Sequence, residues 1–288
     1  MAELQPESGL HLVATPIGRL RDITLHALDL LQAADLLVAE DTRVLQKLMM
    51  LHAVPVQGRK FLSYHDHSND IQARKIAELG ASGDVVVYCS DAGTPAVSDP
   101  GYKLVQAALE TGCPVWSAPG PSAMLAALVQ SGLPSDRFRF EGFLPARPAA
   151  RRSVLEGVRE TTETVIFYDT PKRIRATISD LAVTQVANRT IVICRELTKK
   201  HEEVLRSTIG VLADAVSEDR FNMVEKGEIV LLLGPVPNLE VNDEIIREKL
   251  TELVDDPGVK RASNRVADML GVQKSRVYKI ALSLRDKG

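Results

Sequence analysis

The sequence has few cysteines, few aromatic residues and almost no net charge. Its three cysteines, Cys89, Cys113 and Cys194, lie far apart without a C-x-x-C pair, which excludes a disulfide framework and a zinc ribbon. Aromatic residues make up only 4% of the 288 residues, which argues against a surface that stacks nucleic-acid bases. The net charge of −3 gives no indication of a nucleic-acid partner.

Long hydrophobic runs are absent as well. The longest unbroken run covers seven residues, Ala123–Val129, whereas a membrane-spanning helix needs about 20. Met1–Gly9 contains no basic stretch that leads into an apolar one, so the sequence predicts no secretory signal. Hydrophobic residues (45%) and charged residues (25%) have the shares of an ordinary globular protein. We expect a cytoplasmic enzyme.

Three widespread nucleotide-binding and hydrolase motifs are also missing. The chain contains no G-x-G-x-x-G, no G-x-x-x-x-G-K-[ST] and no G-x-S-x-G. The standard dinucleotide fingerprint, the phosphate-binding P-loop and the nucleophile elbow are therefore excluded.

Short apolar strand-like runs alternate with amphipathic helical stretches, which is the pattern of β–α–β units and predicts an α/β protein. The runs Val85–Val87 and Ile229–Leu233 are continuously apolar, which indicates strands covered on both faces. The chain length favours more than one domain. A proline- and glycine-rich band after residue 118 and a break at Gly234–Asn238 predict two α/β domains, at residues 1–121 and 122–236, and a small helical tail at 237–288.

Glycine- and proline-rich turns follow three of the predicted strands, at Thr15–Gly18, Ser90–Pro95 and Ala118–Ser122. In open α/β sheets the carboxyl ends of the strands border the ligand crevice, so these turns predict a ligand cleft. Asp91, among small residues, would suit a cationic or multi-hydroxyl ligand such as a sulfonium compound with a ribose. Alternatively, Asp91 or Ser90 caps the helix that follows, and Ser122 likewise lies where an N-cap belongs.

Polar clusters at other strand ends leave two interpretations open. Glu40–Arg43 could supply a base or form a structural ion pair. In Ser63–His67, His65 and His67 could ligate a metal, but no neighbour completes a ligand set, so a polar loop that lines the substrate site is favoured and no metal is expected. Cys194–Glu203 is either a solvated loop or part of a site. The group of Arg147, Arg151 and Arg152 predicts a mobile basic loop able to contact phosphates, or a solvated linker.

The tail differs in charge from the rest of the chain. From Pro257 to the end, eight basic residues face two acidic ones, a surplus of six positive charges. The pattern Ala262–Leu270, a glycine turn, then Lys274–Leu284 is similar to a helix-turn-helix, with Lys274 and Arg276 on the second helix. We expect nucleic-acid contact here, although any small helical cap would show similar spacing.

Taken together, eight motifs resemble one known family. They are Ala14–Thr24, Ala39–Arg43, Ser63–His67, Ser90–Pro95, Ser98–Gly101, Pro119–Ala123, Phe140–Pro145 and Arg195–Lys199. In order and spacing they resemble the S-adenosylmethionine-dependent tetrapyrrole-methylase-like family, and within it the branch that methylates small-subunit ribosomal RNA. The resemblance covers roughly residues 10–234.

The resemblance implies two α/β domains with S-adenosylmethionine in the cleft between them, usually in a homodimer. It implies 2′-O-methylation of the ribose of a decoding-region cytidine in 16S rRNA, usually numbered 1402, with 16S rRNA or the small ribosomal subunit as the partner and no membrane. Carried over by motif, the cofactor contacts fall on strand-end loops and on the second domain. These residues are Pro16, Ile17, Gly18, Ser90, Asp91, Ala92, Gly93, Thr94, Ser122, Ala123, Tyr168 and Leu197.

The reaction so implied is an in-line displacement at the sulfonium methyl by a ribose 2′-oxygen, aided by a positioned base. Candidates for the base are Asp41, Glu40, Lys199 and His65, with Asp41 or Glu40 preferred. The expected RNA contacts are Arg43, His65, Arg147, Arg151, Arg195, Lys274 and Arg276. Two rival hypotheses are a methylase of tetrapyrrole rings on the same fold and a non-enzymatic nucleic-acid-binding regulator led by the tail.

Overall fold

A computed structural model of the protein describes residues 6–65, 68–98, 101–237, 243–252, 259–270 and 272–285. The chain forms two compact units, Met1–Val236 and Pro237–Gly288. The first unit contains two five-stranded sheets, which bears out the α/β fold class. Its division into two domains at residue 121 stays a prediction. Within the described residues no helix is long and apolar enough to span a membrane.

The first sheet is parallel throughout, with the strand order β3-β2-β4-β1-β5. Its strands are β1 (Gly9–Val13), β2 (Leu36–Ala39), β3 (Phe61–Ser63), β4 (Val85–Cys89) and β5 (Val115–Ala118). Alternate residues of β4 supply two cores, because Val87 packs with the core on one face and Val86 with that on the other. The whole of β4 is buried, as its continuous apolar run predicts.

Four helices connect these strands and cover both faces of the sheet: α1 (Leu25–Ala33), α2 (Thr42–Leu51), α3 (Asp70–Ala81) and α4 (Tyr102–Glu110). A short 3-10 helix lies at Leu20–Asp22, and α5 (Ala123–Ser131) follows β5. Side-chain caps fix where three of them begin: Thr24 accepts a hydrogen bond from the Ala27 amide, Asp41 from the Arg43 amide, and Asn69 from the Gln72 amide.

The second sheet is mixed, with the order β6-β7-β10-β8-β9. Its strands are β6 (Phe138–Phe143), β7 (Thr164–Asp169), β8 (Thr190–Arg195), β9 (Glu203–Thr208) and β10 (Ile229–Leu233). Only β6 and β7 pair in parallel; the other neighbours are antiparallel. The repeated β–α–β pattern predicted from the sequence therefore does not extend through this half. The polar edge strand β9 was also not predicted from its charged sequence.

Three helices complete this half of the unit: α6 (Pro148–Gly157), α7 (Ile174–Thr184) and α8 (Ile209–Ser217), with a 3-10 helix at Pro171–Arg173. The predicted mobile basic loop at Arg147–Arg152 is wrong, because these residues cap and form the start of α6. Proline at the first helical position and the alanines after it favour this helix start.

Helix α5 joins the two sheets. It follows β5 of the first sheet, yet its buried residues Ala127 and Leu128 share an apolar core with Ile166 and Val192 of the second sheet. Ile17, in the turn after β1, belongs to the same core. This core fixes the loops at the ends of the first sheet against the second.

The small unit consists of α9 (Asp243–Glu252), α10 (Val259–Leu270) and α11 (Lys274–Arg285). Its core includes Ile246, Val266 and Val277. The two predicted tail helices correspond to α10 and α11.

Candidate active site

The three glycine- and proline-rich turns meet at the carboxyl ends of β4, β1 and β5, which are neighbours in the first sheet. Thr15 and Gly93 exchange two backbone hydrogen bonds, of 2.9 and 3.0 Å. The Thr15 hydroxyl donates to the Ser90 carbonyl, and the Thr94 hydroxyl donates to the Pro121 carbonyl. The turns therefore form one connected wall, as the strand-end pattern predicts.

The backbone conformation at position 93 of this wall requires glycine. Its φ of +80° lies in the left-handed region, which glycine adopts without the steric cost that a Cβ would bring. A Cβ added there would also contact Ile17 Cγ2 at 3.5 Å. Small residues around it, Ala92 and Ala123, leave the backbone open to a ligand.

A cavity of about 330 Å³ lies beside this wall, within the size range of small-molecule sites. Its opposite side comes from the second sheet, through the end of β7 and the start of β10. The lining residues are Ile17, Glu40, Asp91, Ala92, Gly93, Thr94, Val97, Ser98, Ser122, Ala123, Phe143, Tyr168, Asp169, Thr170, Gly227, Glu228, Ile229 and Val230.

Most of the predicted cofactor residues line this cavity, and four do not. Pro16 and Gly18 flank the lining residue Ile17. Ser90 is buried, with its hydroxyl donating to the Ala92 carbonyl at 3.3 Å. Leu197 is buried in the core that contains Ile17. These four lie behind or beside the lining rather than in it.

Several lining residues were missed from the sequence. Val97, Phe143 and the Gly227–Val230 segment had no assigned role. Phe143 belongs to a motif that entered only through the family resemblance. The start of β10 could have been anticipated from Gly227, a glycine directly before a buried strand.

The lining is acidic. It includes Glu40, Asp91, Asp169 and Glu228, whereas no Lys, Arg or His is among the described lining residues. Two of these carboxylates are paired from outside the cavity: Asp169 with Arg173 at 2.7 Å and Glu228 with Lys199 at 2.9 Å. Burial raises the pKa of Asp91, as it does for any carboxylate held partly away from water. Such a cavity favours a positively charged ligand over an anion.

Asp41 and Glu40, the preferred base candidates, have different surroundings. Asp41 caps α2 and binds the Arg43 guanidinium through both carboxylate oxygens. Hydrogen bonds from the Arg43 side chain lower the pKa of Asp41 to about 2. The Asp41 backbone amide donates to Asp91 Oδ1 at 3.0 Å and so orients the Asp91 side chain. Glu40 lines the cavity, whereas Asp41 does not.

Lys199, the third base candidate, is held between two carboxylates. Its Nζ lies 2.8 Å from Glu196 Oε1 and 2.9 Å from Glu228 Oε2. Burial alone would lower the pKa of Lys199, but these two hydrogen bonds outweigh it and the pKa is raised. Lys199 is therefore protonated at neutral pH and unsuited to accept a proton.

The loop that carries Lys199 contacts the turn after β1. The Arg19 amide donates to the Thr198 hydroxyl at 3.1 Å. A Cβ on Gly18 would lie 2.5 Å from Lys199 Cγ and 2.6 Å from Thr198 Oγ1. The two sheets thus meet at a glycine that leaves no room for a side chain.

The described residues contain no group of three or more His, Cys, Asp or Glu side chains that could hold a metal ion. His65 is exposed, and its amide donates to the Ser68 hydroxyl. Asp66 and His67, as well as Asp99 and Pro100 of another motif named above, lie outside the described residues.

The arginines predicted to contact RNA fall into two groups. Arg43, with 88% of its side chain exposed, and Arg147 lie at the surface. Arg151 is only 3% exposed and forms a 2.6 Å ion pair with buried Asp180. Arg195 is likewise buried and donates to Glu203. The expectation of RNA contact by Arg151 and Arg195 is corrected, because partners within the protein already occupy their guanidinium groups.

The two remaining predicted RNA contacts belong to the small unit. Lys274 and Arg276 are both exposed on α11. Arg276 forms an ion pair with Asp243 at 2.9 Å. This contact ties the orientation of the guanidinium group to α9 and leaves the side chain open to solvent.

A protein-family model and many curated relatives match the chain. The model described as "Tetrapyrrole (Corrin/Porphyrin) Methylases" matches residues 9–213. A protein of Mesorhizobium japonicum is 40% identical over 97% of this chain and 93% of its own length. One of Haemophilus influenzae is 39% identical over 96% of this chain and 98% of its own. Both are named "Ribosomal RNA small subunit methyltransferase I".

Solved structures with the same fold include the methyltransferase CobJ, with a TM-score of 0.56 and 19% identity over 79% of this chain and 94% of that one. Another is a uroporphyrin-III C-methyltransferase of Thermus thermophilus in complex with S-adenosylhomocysteine. Its TM-score is 0.53, with 20% identity over 79% of this chain and 98% of that one.

Proposed function

The chain belongs to the tetrapyrrole (corrin/porphyrin) methylase family, and we propose that it methylates the ribose 2′-oxygen of a decoding-region cytidine in 16S rRNA. It is a methyltransferase that uses S-adenosylmethionine. The relatives that match nearly the whole chain carry the name of a small-subunit ribosomal RNA methyltransferase, which supports an RNA acceptor. The finer assignment, to the ribose of one cytidine, rests on the motif resemblance.

One observation carries the fit to the cofactor: the cavity combines an acidic lining with a wall of small residues. S-adenosylmethionine has a sulfonium and an ammonium group. Four carboxylates, with no cation among the described lining residues, favour it over anionic nucleotides. The Gly93 turn allows the ligand to approach the backbone amides and carbonyls. The residues that would hold it are Ile17, Asp91–Thr94, Ser122, Ala123 and Tyr168.

When bound, S-adenosylmethionine supplies a methyl group on positively charged sulfur, and the departing thioether is neutral. The protein then has to align the acceptor oxygen with that methyl group and to exclude water. The rigid turns serve this purpose, since they are joined to one another and to the core around Ile17. Alignment of this kind can supply much of the acceleration of a displacement.

Glu40 is the residue that we assign to take the proton of the 2′-hydroxyl group. It lines the cavity at the end of β2. Asp41 is a poorer candidate, because its carboxylate is bound to Arg43 and its pKa is about 2. A correctly placed base contributes about 10²- to 10⁴-fold to the rate.

For the RNA we propose contacts to exposed cations, because phosphate groups are recognised mainly by charge. Arg43 lies close to Glu40 in sequence and is suited to a phosphate near the acceptor nucleotide. Arg147 and, on the small unit, Lys274 and Arg276 are further candidates. We also propose that the enzyme is a cytoplasmic homodimer, as the resemblance implies; sedimentation analysis of the purified protein tests the dimer.

The decisive experiment maps 2′-O-methyl groups in 16S rRNA from cells with and without the gene. We expect one decoding-region cytidine to lose its methyl group and to regain it when the intact gene is returned. A methylation pattern that is unchanged by the loss of the gene would contradict the assignment.

A second experiment separates the rivals with purified protein and labelled S-adenosylmethionine. Transfer to small ribosomal subunits, with none to porphyrinoid acceptors, is expected. The reverse result would assign a tetrapyrrole methylase. Glu40→Gln should lower kcat by about 10²-fold or more and leave S-adenosylhomocysteine binding intact, while the surface variant Glu110→Gln serves as the control.

A further inference from the structure

Aromatic side chains are scarce in this protein, yet three of its twelve gather at one side of the cavity. The Tyr168 ring contacts both Phe140 and Phe143 edge to face, with ring centres 4.9 and 5.3 Å apart. Tyr168 and Phe143 line the cavity. Such edge-to-face contacts fix the position of the rings.

A β-bulge puts Phe143 on this face. Strand β6 pairs with β7 through Phe140 opposite Ile166 and Phe143 opposite Tyr168, so three steps along β6 match two along β7. Without the extra residue, Phe143 would point to the opposite face, because side chains alternate along a strand. Bulges next to active sites commonly redirect a side chain in this way.

Gly142 makes the bulge possible. Its φ is +72°, a conformation that other residues adopt only with strain. The sequence Glu141-Gly142-Phe143 thus contains the backbone feature and the side chain that the feature redirects. A purely structural phenylalanine would not need this arrangement, since the other face of the strand is covered by its own core, which includes Leu144.

Phe143 nevertheless remains 57% exposed. A ring that is anchored by a neighbour, lines the cavity and still faces solvent retains apolar surface for a ligand that arrives from outside. Most of the cofactor's part of the lining, Asp91–Thr94 with Ser122 and Ala123, consists of small and acidic residues on the other wall, and Tyr168 is the one residue assigned to the cofactor that contacts the Phe143 ring. The exposed ring is therefore better placed for the acceptor than for the cofactor.

We propose that Phe143 stacks on the unpaired base of the acceptor nucleotide, or of its immediate neighbour, and so holds the ribose at the cavity. This inference rests on the proposed RNA methylation and adds how the RNA is recognised. A ribose can enter a cavity only when its nucleotide leaves the stack of its neighbours, and aromatic side chains replace the lost stacking in RNA-binding proteins. It also modifies the expectation, drawn from the low aromatic content, that no base-stacking surface is present.

Three variants test this inference. Phe143→Leu keeps an apolar side chain but removes the ring, whereas Phe143→Tyr keeps the ring. Phe138→Leu is the control: Phe138 lies on the same strand and is partly exposed, but its ring does not line the cavity. Methyl transfer to unmodified small ribosomal subunits gives kcat and KM. Calorimetric titration with S-adenosylhomocysteine gives the affinity for the cofactor product and confirms that each variant is folded.

We expect Phe143→Leu to lower kcat/KM for the subunits roughly 5- to 150-fold, the value of one stacked base, with unchanged affinity for S-adenosylhomocysteine. Phe143→Tyr should retain most of the activity that Phe143→Leu loses, and Phe138→Leu should behave as the natural protein. Full activity of Phe143→Leu would overturn this inference but not the proposed function. A matching loss of S-adenosylhomocysteine affinity would overturn it too, since the ring would then serve the cofactor. If the natural protein transfers no methyl group to subunits, the proposed function itself fails, and this inference with it.

Discussion

The carboxylate of Asp41 binds the guanidinium of Arg43 through two hydrogen bonds, 3.0 Å long to Nε and 2.6 Å long to Nη2. The same carboxylate accepts a bond from the Arg43 amide at the start of α2. The Arg43 side chain stays exposed in spite of these bonds. The effect of the pair is therefore to fix the direction of a surface cation beside a cavity-lining residue, Glu40. We therefore expect Asp41 to position Arg43 rather than to act as a base.

Replacing Asp41 by Asn should weaken RNA binding without removing the chemistry. Because the pKa of Asp41 is lowered to about 2, the carboxylate stays charged at every pH above about 4, and the pH profile of the natural enzyme between about 5 and 9 should not contain it. We expect a higher KM for RNA and a nearly unchanged kcat. RNA affinity should also depend less steeply on salt, by up to the slope that about one phosphate contact contributes. Kinetics at several salt concentrations measure this.

The control is a double-mutant cycle with Arg43→Gln. If Asp41 acts through Arg43, Asp41→Asn has little further effect once Arg43 is replaced. A loss of kcat by two orders of magnitude at saturating RNA would instead identify Asp41 as the base.

Lys199 should contribute to stability below its own pKa. The pKa of Lys199 is raised above the ordinary 10.5, so the stabilisation is complete below pH 10.5 and is lost as the pH rises through the higher value of the folded protein. We expect Lys199→Met to lower the free energy of unfolding by about 1 kcal/mol at pH 7 and the difference to shrink by pH 11. Urea unfolding at pH 7, 9 and 11 measures it.

Lys75→Met provides the comparison, since Lys75 is exposed on α3. Equal losses of stability for the two variants would show that the contacts of Lys199 with Glu196 and Glu228 contribute nothing.

The local patterns of the sequence were enough to predict the wall made by the first sheet. In a parallel sheet the carboxyl ends of all strands lie on one edge, so turns such as Thr15–Gly18 and Ser90–Pro95 come together once β1 and β4 are neighbours. Each turn also carries its own signal in glycine and proline. The α/β class and the burial of Val85–Val87 on both faces of the sheet could be predicted by similar local reasoning.

The second wall could not be predicted in this way, because it depends on long-range pairing. β7 and β10 are antiparallel neighbours although about 60 residues separate them in sequence, and only this pairing brings Tyr168 opposite Val230. The partners of buried charges were equally hidden. Arg151 lies in a basic stretch, but Asp180 on α7 makes it a structural residue, and nothing near Arg151 in sequence indicates that.

Gly18 should tolerate no side chain. A Cβ would lie 2.5 Å from Lys199 Cγ, and relieving this contact would push the turn after β1 away from the loop of the second sheet. We expect Gly18→Ala to lower the free energy of unfolding by about 1–3 kcal/mol and to weaken S-adenosylmethionine binding, because the turn also carries Ile17. Urea unfolding and calorimetric titration measure the two effects.

Gly157→Ala is the matched control. Gly157 ends α6, and apart from its chain neighbours and the backbone of its own helix no atom lies within 4 Å of the place that a Cβ would take there. Alanine at this position should therefore be neutral or stabilise the protein by up to about 1 kcal/mol. If Gly18→Ala behaved like Gly157→Ala, the contact between the turn and the Lys199 loop would have no energetic importance.

Replacing Arg151 should affect stability and replacing Arg147 should affect RNA binding, although the two residues lie only four positions apart. Arg151→Met leaves buried Asp180 with only its exposed partner Arg152, so we expect a loss of about 2–4 kcal/mol in the free energy of unfolding and unchanged RNA affinity of the folded protein. Arg147→Met changes an exposed residue before α6, so stability should stay the same while the salt dependence of RNA binding falls by about 0.7–1 in slope. Unfolding curves and RNA-binding titrations at several salt concentrations distinguish the two. RNA affinity reduced as strongly by Arg151→Met as by Arg147→Met, at a temperature where both are folded, would restore Arg151 to the proposed RNA contacts.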